Sequence, residues 1–168
     1  GRVVGGTVYP GLMLTAASIH NALNALNLTV NIRNVCVLLA PLFSSFAALS
    51  AYALVAHVQS RRAGVLAAAF VAIVPSYLSR SCGGSYDYEG VAIFALIFTF
   101  ALWLRAVDSG AIVWAVACTL SYFYMVASWG GYVFITNLLP LYTLVMLATG
   151  RYSPRLYVAY CVWYALGT

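Results

Sequence analysis

Uncharged, mainly apolar stretches alternate with short polar breaks along the 168-residue chain. Residues 35–60 carry no charge and end at Arg61-Arg62, and residues 63–79 carry none and end at Arg80. Residues 90–104 lie between Glu89 and Arg105, and a last apolar run begins after Arg155. Residues 109–150 are uncharged and long enough for two crossings, with Ser128-Trp129-Gly130-Gly131 as the natural break. A bilayer-spanning helix takes about 20 mainly apolar residues. The pattern therefore predicts an all-α chain whose residues 35–168 form a bundle of five spans and the start of a sixth. Before them, residues 1–34 form a separate segment. In it Leu12, Ala16, Ile19, Leu23 and Leu26 recur at helical spacing with Ser18, Asn21 and Asn24 opposite, which predicts an amphipathic interfacial helix over 11–26 starting after Pro10.

Composition agrees with a membrane location. The chain is 64% hydrophobic and 7% charged, with a mean hydropathy of +0.95. A soluble domain carries about 25% charged residues. The eight basic residues are all arginine and are scattered, which excludes the dense basic stripe of a nucleic-acid-binding surface. Cys36, Cys118 and Cys161 sit inside apolar runs and only Cys82 in a polar segment, so neither a disulfide framework nor a zinc spacing is present. The chain opens at Gly1 without a charged leader and closes at Thr168 inside an apolar run, and reads as a piece of a longer protein.

Arginine placement orients the bundle. Arg61, Arg62, Arg105, Arg151 and Arg155 fall in alternate connections and mark the cytoplasmic side by the positive-inside rule. Residues 1–34, the loop at 79–90 and the break at 128–131 fall on the other side with Arg2, Arg33 and Arg80. His20 belongs to the polar face of the first helix, and Asn27-Leu28-Thr29 has the pattern of a glycosylation sequon. Pro41, Pro75 and Pro140 either kink helices or mark gaps between them; Asn137 suits a helix-to-helix hydrogen bond. Trp129-Gly130-Gly131-Tyr132 reads as an interfacial aromatic with glycines for close helix approach.

The chemistry concentrates in the acidic residues. The chain has three, and two of them, Asp87 and Glu89, stand two apart in the loop 79–90. The uncharged stretches around that loop are 17 and 15 residues long. At 1.5 Å per residue they reach about 22–26 Å, short of a hydrocarbon core of ~30 Å. The loop is therefore expected at or slightly below the membrane surface, where charge is costly and by default functional. Carboxylates at i and i+2 point to one side of an extended segment. Such a pair of hard oxygen ligands suits Mg²⁺ or Mn²⁺. Arg80, seven residues earlier, pairs either with a carboxylate or with an anionic substrate. A purely structural account competes with this one: Asp87 as a helix N-cap, Glu89 complementing the helix dipole and Arg80 closing a helix C-terminus.

Five strings carry a resemblance: GRVVGGTVYPGLM (1–13), IRNVCVLLAPLFS (32–44), SRSCGGSYDYEGVAI (79–93), FYMVASWGGYVFITNLLPLY (123–142) and RYSPRLYVAYCVWYALGT (151–168). Through them the chain resembles the catalytic subunits of the eukaryotic oligosaccharyltransferases, the enzymes of asparagine-linked protein glycosylation. The resemblance implies a multi-pass helix bundle of the C-type glycosyltransferase kind in the endoplasmic reticulum membrane, with the 79–90 loop facing the lumen. It implies transfer of an oligosaccharide from dolichyl diphosphate to asparagine in an Asn-X-Ser/Thr sequon of an acceptor polypeptide. Membrane lipid and other oligosaccharyltransferase subunits are the implied partners. It also implies that Asp87 and Glu89 are ligands of a divalent metal, Mn²⁺ or Mg²⁺, and that Arg80 is needed for activity. In this loop the family usually has asparagine between the two acids and Val-Ala before the Gly-Ser, where this chain has Tyr88 and Cys82-Gly83. The family's other acidic motif, its glutamate-bearing loop and its Trp-Trp-Asp motif lie outside the chain, so the chain is expected to be inactive alone. Two readings compete: another lipid-sugar-dependent glycosyltransferase such as a protein O-mannosyltransferase, and part of an ion transporter lined by Arg80, Asp87 and Glu89.

Overall fold

A computed structural model describes residues 8–167. Arg2 and most of the first resemblance string lie outside the described residues, as does Thr168. Eight helices and no strand are found among the described residues: α1 (Pro10–Ala25), α2 (Ile32–Val58), α3 (Arg61–Ile73), α4 (Pro75–Leu78), α5 (Tyr88–Ser109), α6 (Ile112–Ser128), α7 (Tyr132–Ala148) and α8 (Pro154–Gly167). Local chemistry sets several ends. Pro10 and Pro75 occupy first-turn positions, where a missing N–H costs nothing. Asn31 caps α2 through Arg33 N–H at 3.0 Å, and Ser60 caps α3 through Ala63 N–H at 3.3 Å. Gly110 ends α5 in the left-handed region at φ 69°.

Two expectations about these elements change. The apolar stretch 63–79 is not one helix: Val74 turns extended before Pro75 and separates α3 from α4, because the residue before proline avoids the helical region. Pro75 thus marks a gap, whereas Pro41 and Pro140 lie inside α2 and α7. The helix after the acidic loop is also longer than its uncharged core. α5 has 22 residues, about 33 Å, because Glu89 sits in its first turn and Arg105 is absorbed over the ring of Trp114 at 5.3 Å. Among the described residues α2 and α5 are the helices long and apolar enough to cross a membrane, while α6 and α7 are apolar but shorter.

α5 is the centre of the bundle and packs on α2, α6 and α8. Lipid tails are as apolar as leucine, so helix association depends on close fit and small residues. Ala92, Ala95, Thr99 and Ala106 are fully buried at helical spacing on α5. Thr99 Oγ1 donates to the Ala95 carbonyl at 2.7 Å and lies 2.8 Å from Ser121 Oγ on α6. Trp103 and Trp163 meet edge to face beneath this stripe, at 6.4 Å and 73°. α7 is peripheral, with Ile135 and Leu139 as its buried side chains.

α1 has the amphipathic register expected of it, with Leu12 and Ala16 buried, Ile19 and Leu23 half-buried and Ser18, Asn21 and Asn24 exposed. Leu26 departs from the expectation: it lies past the helix end and is 71% exposed. At the opposite end of the bundle His57 Nε2 lies 2.6 Å from Asp108 Oδ2, and Arg155 Nη1 donates to the Asp108 carbonyl at 2.7 Å. The ends of α2 and α5 and the start of α8 therefore meet at one end of the bundle.

Gly11 lets α1 dock on α6. A Cβ there would stand 2.5 Å from Ser128 Oγ and 2.7 Å from the Ala127 carbonyl oxygen. Gly11→Val in the full-length protein is expected to cost about 1–3 kcal/mol through overpacking and to lower the thermal midpoint in detergent. Gly83→Ala, with nothing within 4 Å of its added Cβ, is expected to leave the midpoint unchanged.

Candidate functional site

The loop between α4 and α5 is held from several sides. Gly84, at φ 93°, donates its backbone N–H to the Val37 carbonyl of α2 at 3.0 Å. Tyr77, buried on α4, donates its hydroxyl to the Gly90 carbonyl at 3.3 Å, and Ser81 Oγ donates back to the Tyr77 carbonyl at 2.9 Å. Gly90 packs on Ala40, with space for a Cβ only at the 3.4 Å limit of ordinary contact. Burial first, then the neighbouring Cys36 thiol and Tyr88, push the Tyr86 phenol above the ordinary tyrosine value. Tyr88 meets Tyr9 edge to face at 6.0 Å, tying the start of α5 to the segment before α1.

These ties bring the three sequence-predicted site residues together. Asp87 is the extended residue just before α5, at φ −128° and ψ 148°, and Glu89 lies in the helix's first turn. Arg80 Nη1 donates to Asp87 Oδ2 at 2.9 Å, and Arg80 Nε lies 3.2 Å from Glu89 Oε2. One guanidinium thus spans both carboxylates, and the cluster keeps one net negative charge. The structural account is met in part: Asp87 holds the N-cap position, but its side chain makes no cap hydrogen bond and turns to Arg80 instead. All three side chains are reachable, at 51% exposure for Arg80, 35% for Asp87 and 31% for Glu89.

The donor set fits a hard divalent cation as part of a site. Asp87 Oδ2 and Glu89 Oε2 face the guanidinium, and each carboxylate has a second oxygen to offer. Among the described residues no group of three or more His, Cys, Asp or Glu converges. Further His, Cys, Asp or Glu ligands would have to come from outside the described residues.

The remaining candidates stay apart from this cluster. His20 pairs with Asn24 at 3.4 Å on the exposed face of α1. Asn137 is exposed on α7 and makes no side-chain hydrogen bond among the described residues, unlike the helix-to-helix bond expected of it. Asn27, in the sequon, is exposed in the turn after α1 at φ 59°. Gly130 lies against the Tyr9 hydroxyl, so this glycine admits a side chain from the segment before α1. Inside the bundle Thr99, Thr119 and Ser128 spend their hydroxyls on carbonyls one turn back. Tyr77 was not singled out by sequence reasoning; an aromatic two residues after a proline carries no signal that its hydroxyl will find the Gly90 carbonyl.

Comparison with known proteins bears on the whole chain. The family model described as "Oligosaccharyl transferase STT3, N-terminal" matches residues 1–168. The chain is 56% identical to the dolichyl-diphosphooligosaccharide–protein glycosyltransferase subunit STT3 of Dictyostelium discoideum over 168 residues, all of this chain and 24% of that protein. It is 60% identical to the STT3B subunit of Oryza sativa subsp. japonica over 167 residues, 99% of this chain and 23% of that protein. It is 54% identical to the stt3 subunit of Schizosaccharomyces pombe over 168 residues, 100% of this chain and 22% of that protein. The chain thus spans less than a quarter of the length of these relatives.

The bond from Tyr77 can be tested by itself. Tyr77→Phe leaves the ring in place and the Gly90 carbonyl without this donor, which is expected to cost about 1 kcal/mol. The measurement is the thermal midpoint of the full-length protein in detergent, which should fall.

Proposed function

The chain belongs to the STT3 oligosaccharyl transferase family, and from that premise we propose that it is the membrane part of an enzyme that glycosylates asparagine. The proposed donor is an oligosaccharide on dolichyl diphosphate, and the acceptor is a polypeptide with an Asn-X-Ser/Thr sequon. The single observation that carries the site assignment is the convergence of Asp87 and Glu89 on one Arg80 guanidinium. Each such ion pair at this exposure adds only about 0–1 kcal/mol to stability. Holding the fold together is a weak reason for the cluster, and holding ligands is a better one.

In this reading Asp87 and Glu89 are two of the ligands of a Mn²⁺ or Mg²⁺ ion. When bound, such an ion supplies positive charge beside a diphosphate leaving group. The amide nitrogen of the acceptor is a poor nucleophile because its lone pair is delocalised. The carboxylates of Asp87 and Glu89 accept hydrogen bonds from that amide and orient it toward the donor. Arg80 balances the two acids and offers its guanidinium to phosphate oxygens. A lipid-borne donor suits a site tethered to helix ends.

We place the chain in the endoplasmic reticulum membrane, with α2, α3–α4, α5, α6 and α7 as five crossings and α8 as the sixth. Residues 1–34, the acidic loop and the 129–131 turn then lie on the lumenal side. The arginine distribution supports this orientation, and other oligosaccharyltransferase subunits are the proposed protein partners.

Two experiments test the reading. Asp87→Ala and Glu89→Ala, made separately in the full-length protein, are each expected to reduce sequon glycosylation in membranes at least about 100-fold at unchanged protein level. Full activity in both would remove the site assignment. Ser85→Cys in a Cys82→Ser background is expected to stay unlabelled by an impermeant maleimide in sealed microsomes, whose cytosolic face is outward, and to react once the membrane is permeabilised. Labelling from the cytosolic face would invert the topology.

A further inference from the structure

α2 runs through a proline. Pro41 stands inside the helix, where its ring nitrogen carries no hydrogen. The carbonyl four residues earlier, that of Val37, therefore has no helical donor. A bare carbonyl in the body of a membrane helix is costly, so a replacement donor is required. The structure supplies one: the Gly84 N–H, at 3.0 Å, from the loop that holds Arg80, Asp87 and Glu89.

The surroundings are built for this exchange. Gly84 is four residues after Arg80 and three before Asp87, so its bond ties to α2 the segment that joins them. It donates from φ 93°, a conformation that a side chain disfavours. The adjacent residues of α2 meet the same stretch, with Cys36 on Tyr86 and Ala40 against Gly90. The hydroxyls of Ser44 and Ser45 both donate to the Pro41 carbonyl, at 2.9 and 3.3 Å, and so serve the proline's own turn without reaching Val37.

We propose that Pro41 is a positioning residue for the acidic site. By withholding an N–H from Val37 it reserves that carbonyl for Gly84, and this bond sets where Arg80, Asp87 and Glu89 stand relative to α2. The proposal rests on the functional reading above. It makes an unusual demand on mutagenesis, since the variant that damages function should not damage the fold. Proline is the residue least suited to a helix interior, so Pro41→Ala repairs α2 while giving the Val37 carbonyl a donor that competes with Gly84.

The test uses the full-length protein in detergent or membranes. For Pro41→Ala three results are expected together. The thermal midpoint is unchanged or higher. Amide exchange at Gly84 becomes at least about tenfold faster, and kcat for a sequon peptide falls about tenfold or more, with little change in KM, as for a misplaced reacting group. In the wild type, the Gly84 amide should exchange more slowly than that of Gly83, which has no hydrogen bond to α2 in this structure. Unchanged Gly84 exchange in the variant, unchanged kcat, or a wild-type Gly84 amide as fast as Gly83 would each overturn the proposal. So would a fall in activity accompanied by a fall in midpoint, which is the mark of general damage. Asp87→Ala assayed in parallel separates the two levels. Full activity there sinks the functional reading, whereas loss there with an active Pro41→Ala sinks only the positioning role.

Discussion

Two carboxylates and one guanidinium share a few ångströms at one end of this bundle, and that concentration of charge constrains the surrounding structure. The groups are half-exposed, so water shares in their solvation, but the carboxylates stand close enough that their mutual repulsion calls for a cation between them. Arg80 is that cation for both acids at once. A single cation cannot neutralise two anions, and the residual negative charge is what the proposed metal ion would answer. The ion pairs themselves are too exposed to anchor the loop. Its anchors are the Tyr77 hydroxyl, the Gly84 amide and the packing of Gly90 on Ala40.

The other end of α5 shows the same economy with different chemistry. Asp108 sits in the last turn of the helix, where the dipole disfavours a negative group. His57 takes its carboxylate, and Arg155 takes its carbonyl and lays its side chain against Gly110. All three acidic side chains of the chain are therefore held by basic partners at the two ends of one helix. Between those ends α5 is apolar and small-faced, so close packing does the rest.

Much of this was legible in the sequence, for physical reasons that can be named. A period of 3.6 placed Leu12, Ala16, Ile19 and Leu23 on one face of α1, and the pattern failed only at Leu26, where the helix had ended. Charges do not bound α5, because a helix tolerates Glu89 at its positive end and Arg105 beside an aromatic ring. The juxtaposition of Arg80 with both acids is local in sequence and was within reach of spacing arguments. The Gly84 bond to Val37 was not, since it joins residues 47 apart. Its signal was the proline four residues after Val37, which announces a free carbonyl but not its partner. The exposed position of Asn137 depends on how few contacts α7 makes, which no local pattern encodes.

The helices of this bundle differ in length in a way that a membrane must answer. α2 has 27 residues, about 40 Å, while α6 and α7 have 17 each, about 25 Å. With α2, α6 and α7 as crossings, as proposed, mismatch of opposite sign makes the long rod lean and the lipid beside the short rods thin. In the proposed arrangement the headgroup layer along α6 and α7 is drawn inward, which would shorten the path of the proposed lipid-borne donor to a water-facing acceptor.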